Sequence, residues 1–157
     1  MCLYTLTDTA YKTSKPLICY KVVVINRTVS AFESIHKYHI YRINEKYYER
    51  RFRSKINSHS VLGNIVNYGF HSYVSYTGAR RMIKEYKTRY NNNGLIGYYP
   101  DIDNAEFVIL KCEIPANSLY FFGNNRWSSN GEYCSNKIKV LAWKREYGKW
   151  HDTFNLK

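Results

Sequence analysis

Three stretches of this chain combine residue types that hold phosphate, stack on rings or move protons. The first is Arg50-Arg51-Phe52-Arg53-Ser54-Lys55, preceded by Tyr47 and Tyr48. Phosphate contacts need mobile or forked cations, and base stacking needs exposed rings; this segment supplies both. Its structural alternative is a strand with one solvated, Arg-rich side and its aromatics packed inward. The second stretch is Gly69-Phe70-His71-Ser72-Tyr73. Side chains two apart on a strand share a face, so His71 and Tyr73 stand together. His71 can donate to a phosphate or ribose, or act as an acid or base near neutral pH; the alternative is a core histidine bonded to backbone. The third is the polar run Gly123 to Tyr133, with Arg126, Trp127 and a lone carboxylate, Glu132. As a ligand lid it would use Trp127 to stack and Arg126 to hold phosphate. As a plain loop it would fold Trp127 onto the body.

The charge balance says what such groups would meet. Lys and Arg number 24 against 12 Asp and Glu, a formal net charge of +12, in a chain with 17 Tyr. Excess positive charge concentrates anionic partners and speeds encounter with them, whatever the fold. The expected partner is a phosphorylated nucleotide or RNA, or else an acidic face of another protein. An acidic mimic of DNA would need the opposite sign. Other chemistries lack their residues: there is no phosphate loop or dinucleotide glycine fingerprint, no zinc-deaminase signature and no nucleophile elbow. Asp101 and Asp103 follow Pro100 and are expected to shape a turn. The four cysteines, Cys2, Cys19, Cys112 and Cys134, show no metal-ligand spacing and are expected as free thiols. No metal and no cofactor is expected.

The elements that must position these residues alternate between two periods. Leu17 to Ile25 is a β-branched run between Pro16 and Asn26, and reads as a buried strand. Tyr38 to Ile43 and Tyr47 to Phe52 flank Asn44-Glu45 and suit a hairpin. Tyr68 to Val74 is a short strand. From Thr77 to Tyr90 the apolar residues Ala79, Met82, Ile83, Tyr86 and Tyr90 fall on one helical face. Ser75 or Thr77 caps its start, Asn91 to Gly94 ends it, and the opposite face carries Arg80, Arg81, Lys84, Lys87 and Arg89. In Glu106 to Ile114, Val108, Leu110, Cys112 and Ile114 share one side of a strand. Pro115-Ala116-Asn117 turns the chain into Leu119 to Phe122; Gly123 to Ser135 reads as a loop, and Asn136 to Trp143 as the last strand. Lys137, Lys139, Lys144, Arg145 and Lys149 add to the basic surface.

With 157 residues, 45% of them hydrophobic, the chain suits one domain over 1–157 that buries about two-thirds of its unfolded surface. No window approaches the ~18 apolar residues of a membrane span, and the opening residues lack a signal-peptide pattern. The expectation is a cytoplasmic α+β protein, a single compact domain of mainly antiparallel sheet with one amphipathic helix. Oligomeric state leaves no mark on the sequence.

Several segments together carry a resemblance. They are Met1-Cys2-Leu3-Tyr4-Thr5, Ile18-Cys19-Tyr20-Lys21, Gly69 to Tyr73 followed by a helix, and Val108 to Pro115. Tyr120-Phe121-Phe122-Gly123 and Tyr133-Cys134-Ser135-Asn136-Lys137-Ile138 complete the set. In this order they resemble an uncharacterised family of small proteins encoded by phages and mobile elements of bacteria. The resemblance implies a β-rich phage accessory protein of the counter-defence kind and brings no catalytic residues. The leading expectation is a binding module that captures a phosphorylated ligand, with Arg50, Arg51 and Arg53 on phosphate and Tyr47, Tyr48 or Trp127 on a base. A second expectation is enzymatic. The order strand-His, helix-Tyr, late Glu is similar to the His-Tyr-Glu arrangement of the ADP-ribosyltransferase superfamily, with His71, Tyr86 and Glu132 in those places. A third is an inhibitor that docks directly on a host defence protein through exposed Tyr and Arg.

Overall fold

A strand with apolar residues on both sides is stable only where both faces of its sheet are covered, and this requirement organises the molecule. The computed structural model describes residues 3–35, 39–57, 59–60, 63–93, 106–125 and 128–156. The first strands are β1 (Leu3–Thr5), β2 (Tyr11–Lys12), β3 (Leu17–Asn26), β4 (Ala31–Ser34), β5 (Ile40–Tyr41) and β6 (Lys46–Tyr48). There follow β7 (His59–Ser60), β8 (Gly63–Val66), β9 (Phe70–Tyr73) and the helix α1 (Tyr76–Asn93). The chain ends with β10 (Phe107–Ile114), β11 (Leu119–Asn125), β12 (Ser128–Ser135) and β13 (Lys137–Arg145). The strands join in the order β6-β13-β10-β3-β9-β12-β11-β1-β8-β7, with β2 on β11, β4 on β3 and β5 on β4. All pairings are antiparallel. The fold is α+β and sheet-rich. No helix among the described residues is long and apolar enough to cross a membrane.

The alternation read in Glu106–Ile114 divides β10 between two cores. Val108, Leu110, Cys112 and Ile114 pack with Val23, Phe32, Ile138 and Trp143, beneath β4 and the C-terminal Phe154 and Leu156. Phe107 and Ile109 face the other way, onto Val22, Val24 and the helical residues Ala79, Met82, Ile83 and Tyr86. A third cluster, Leu3, Ile56, Val66, Phe121 and Cys134, supports the far half of the sheet. The helix begins where Ser75 Oγ accepts the Gly78 amide at 3.0 Å, a side-chain cap for an otherwise orphaned donor. It runs to Asn93, within the Asn91–Gly94 run expected to end it; Gly94 lies outside the described residues.

Two local readings are corrected by the pairing. Tyr38–Ile43 and Tyr47–Phe52 do not form a hairpin: β5 pairs with β4, and β6 pairs with β13, Tyr47 opposite Ile138. The turn at Asn44 is real, with φ 64°, but the strands beyond it find longer-range partners that bury Tyr41 and half-bury Tyr47. Gly123–Ser135 is not a loop. β11 and β12 run almost its whole length, with Phe122 opposite Tyr133 and Gly123 opposite Glu132. A side chain at Gly123 would meet the Tyr4 carbonyl oxygen at 2.0 Å. That glycine allows β1 to lie close, and its small size made a strand look like a loop.

Candidate functional site

A partly enclosed cleft lies where the sheet splits. β3 and β9 are neighbours through one register pair alone, Tyr20 with Tyr73. Beyond it their backbones diverge, and the cleft opens between Lys21 and Val22 on one side and His71, Ser72 and Tyr73 on the other. Diverging strands leave peptide groups without ladder partners, and buried peptide groups must be satisfied. Lys21 does this for one of them: its Nζ donates to the His71 carbonyl at 2.6 Å, side chain standing in for strand. Lys21 is 9% exposed, and its ammonium lies 5.5 Å from the Tyr41 ring centroid.

The cavity is about 170 Å³ and is walled by several further elements. Arg51 and Glu49 come from the segment after β6, His39 and Tyr41 from β5 and its approach, Tyr86 from α1 and Glu132 from β12. Glu49 positions Arg51: Arg51 Nε donates to Oε1 at 3.2 Å and Nη2 to Oε2 at 3.3 Å. The guanidinium also lies 4.7 Å from the Tyr68 ring centroid. His39 sits among rings, 4.5 Å from Tyr41, 5.0 Å from Tyr47 and 5.5 Å from Phe70. Burial, then repulsion from Lys21, lowers its pKa below the ordinary value, against a smaller pull from Glu49. It is therefore a neutral imidazole near pH 7, and its Nε2 makes no hydrogen bond among the described residues. Burial raises the Tyr73 phenol well above its ordinary range, with Tyr86 and Glu132 adding to the effect.

His71 and Tyr73 both line the cleft, and so do Phe70 and Ser72 of the same strand. Gly69 permits this approach: its φ is +137°, and a Cβ there would meet Cys134 Sγ at 2.4 Å. His71 Nε2 lies 3.5 Å from the same sulfur. Glu132, fully buried, pairs across β12–β9 with Tyr73. Thus His71, Tyr86 and Glu132, residues far apart in sequence, line one cavity.

The arginine-rich segment is divided. Arg51 reaches the cleft, whereas Arg53 lines a separate groove with Lys55 and Tyr68. Arg50 is exposed and lines neither. Tyr47 packs among rings, its hydroxyl accepting the Arg42 amide at 2.6 Å and donating to Glu45 at 2.8 Å. Tyr48 is exposed, with Lys137 Nζ 5.7 Å from its ring centroid. Arg126, Trp127, Asp101 and Asp103 lie outside the described residues. Among the described residues no group of three or more His, Cys, Asp or Glu could hold a metal.

Lys21, His39, Tyr41 and Glu49 were not singled out from sequence. Lys21 alone had left a signal, a lone cation inside the β-branched run Leu17–Ile25. A buried lysine is rare unless something uses or satisfies it.

Charge, ring and proton-bearing groups thus meet in one partly enclosed space: two cations, two carboxylates, two imidazoles and several phenols. Such a wall can hold an anion at Lys21 or Arg51, pack a planar ring against tyrosine, and accept ribose hydroxyls at carboxylate or imidazole. Comparison with protein-family models, with curated proteins and with solved structures finds no match for this chain.

Proposed function

We propose that the protein binds a phosphorylated nucleotide in the cleft between β3 and β9. The observation that carries this reading is convergence: Arg51, His71 and Tyr73, chosen as ligand groups from sequence, line one cavity together with the buried Lys21. Ordinary ligand pockets run to about 300–1,000 Å³, larger than this one. A nucleotide therefore places one end inside, against the tyrosines, and leaves the remainder at the mouth beside Arg51. A basic surface outside speeds capture. Such a sponge suits the counter-defence role that the phage resemblance implies.

Thermal-shift titration with AMP, ADP-ribose, NAD and cyclic dinucleotides tests it. At least one stabilises the protein in a saturable way, and Arg51→Ala weakens that ligand roughly tenfold or more, as expected for a lost charge-assisted bond. No shift with any of them at low salt contradicts the reading and favours an inhibitor that docks on a host protein.

A second reading has its own observation, the meeting of His71, Tyr86 and Glu132 in the same cleft. In it the ligand is NAD. The bond from ribose C1′ to nicotinamide breaks with its electron pair leaving on nicotinamide, and Glu132 stabilises the oxocarbenium-like centre. His71 holds a ribose hydroxyl, and water or an acceptor nucleophile closes on C1′. Release of nicotinamide from NAD, lost in Glu132→Gln with NAD binding retained, supports this reading. Binding of NAD without turnover in the wild type refutes it and leaves the binding module intact.

A further inference from the structure

A second surface, sharing no residue with the cleft lining, is built where the C-terminal segment returns over α1. After β13 the chain bends, and His151 makes two backbone hydrogen bonds with Trp143, each 2.8 Å. Trp143 Nε1 donates to the Thr153 carbonyl at 2.8 Å and closes the return. This pins Trp150 against Tyr20 and Tyr76, at centroid distances of 6.1 and 5.9 Å. Lys144 Nζ lies against both rings, 4.6 Å from the Tyr76 centroid and 5.3 Å from that of Trp150. On the helix side, the Arg80 guanidinium lies 4.7 Å from the Tyr147 ring centroid.

The rings remain open to solvent: Tyr147 is 65% exposed and Trp150 38%. The carboxylate among them, Glu146, is turned inward and occupied, with Lys87 Nζ at 3.1 Å and Arg80 Nε at 4.0 Å. Its charge orients the cations without repelling an anion outside. Arg80, Lys84 and Lys87 recur at the spacing of one helical stripe beside the rings. Exposed rings interleaved with cations bind chains that carry both phosphates and flat bases. Because the return of the chain fixes the rings beforehand, little ordering remains to oppose binding.

We propose that this surface, centred on Arg80, Lys144, Tyr147 and Trp150, binds single-stranded nucleic acid through phosphate contacts and base stacking. It stands or falls apart from the cleft, whose ligand is a free nucleotide.

Fluorescence anisotropy of a labelled dT20 oligonucleotide and its rU20 counterpart, with the full chain at 50 mM and 200 mM salt, is the test. Saturable binding is expected, weakened roughly 5- to 150-fold by Trp150→Ala or Tyr147→Ala, the loss measured for a stacked base. Lys144→Gln should reduce the salt slope by about 0.7, the value for one single-strand phosphate contact. Circular dichroism and thermal melting of each variant establish that it is folded, and Lys84→Glu, at an exposed position of the helical stripe, supplies a second disruption. Absence of saturable binding at 50 mM salt overturns the proposal. So does binding that folded Trp150→Ala and Tyr147→Ala leave unchanged, or that inorganic polyphosphate competes away as effectively as unlabelled dT20. The first result would point to an acidic protein as the partner, and the other two would mean that charge alone is read.

Discussion

Replacing Lys21 by Met separates what the lysine does for the fold from what it does for a ligand. The substitution keeps most of the side-chain volume and removes the ammonium that donates to the His71 carbonyl at 2.6 Å. A buried acceptor that loses its donor costs about 1–3 kcal/mol. Desolvation of the buried ammonium opposes this, because a charge no longer has to be kept from water. The balance is a net loss near the lower end, about 1 kcal/mol. For a chain of this length that lowers the melting temperature by about 2–4 °C. Nucleotide affinity should fall much further, because a charge-assisted bond to phosphate is worth about 1.5–3 kcal/mol, or roughly 10- to 150-fold. Urea denaturation and nucleotide titration of the same preparation measure the two effects side by side. If the variant loses stability while binding its nucleotide as well as the wild type does, Lys21 is only a clamp on the split sheet. If it gains several kcal/mol, the assignment of the hydrogen bond to fold stability is wrong.

Other consequences follow from the same structure. Gly123→Ala sets a methyl 2.0 Å from the Tyr4 carbonyl oxygen and should destabilise by about 1–3 kcal/mol or more through displacement of β1, read as a lower urea midpoint. Cys19, Cys112 and Cys134 are buried, and burial raises the Cys19 thiol to about 12. A thiol reagent should leave all three unmodified in the folded protein and react with them in denaturant; rapid native labelling of any of the three would contradict the packing. His39 has its pKa lowered from 6.5 in the fold, so the unfolded chain takes up a proton first as pH falls. Its contribution is complete above pH 6.5 and is lost progressively below it, toward the folded pKa. His39→Phe should flatten that acid-side slope in urea midpoints measured from pH 7 downward, and an unchanged slope would remove His39 as its source.

What could be read from sequence follows the range over which a residue's environment is set. The β3 run, the β10 alternation and the periodic face of α1 were legible because burial of those faces shows in their own spacing. The β11–β12 pair was not, since Gly123, Asn124, Ser128 and Gly131 are residues of loops unless a neighbouring strand demands small size. The pairing of β6 with β13 was also hidden, because nothing near Tyr47 announces Ile138. In the cleft, His71 and Tyr73 were legible as neighbours on one short strand. Among Arg50, Arg51 and Arg53 no local pattern distinguishes the one that Glu49 turns toward the cavity, because the chain leaves the strand at Tyr48.

The claim that the cleft is a nucleotide site is met most directly by mass spectrometry of what heat releases from the protein purified out of bacterial cells. A single phosphorylated nucleotide at near-stoichiometric yield, absent from folded Lys21→Met prepared in parallel, is the predicted result. Release of nothing from a folded wild-type protein that also ignores added nucleotides would contradict it.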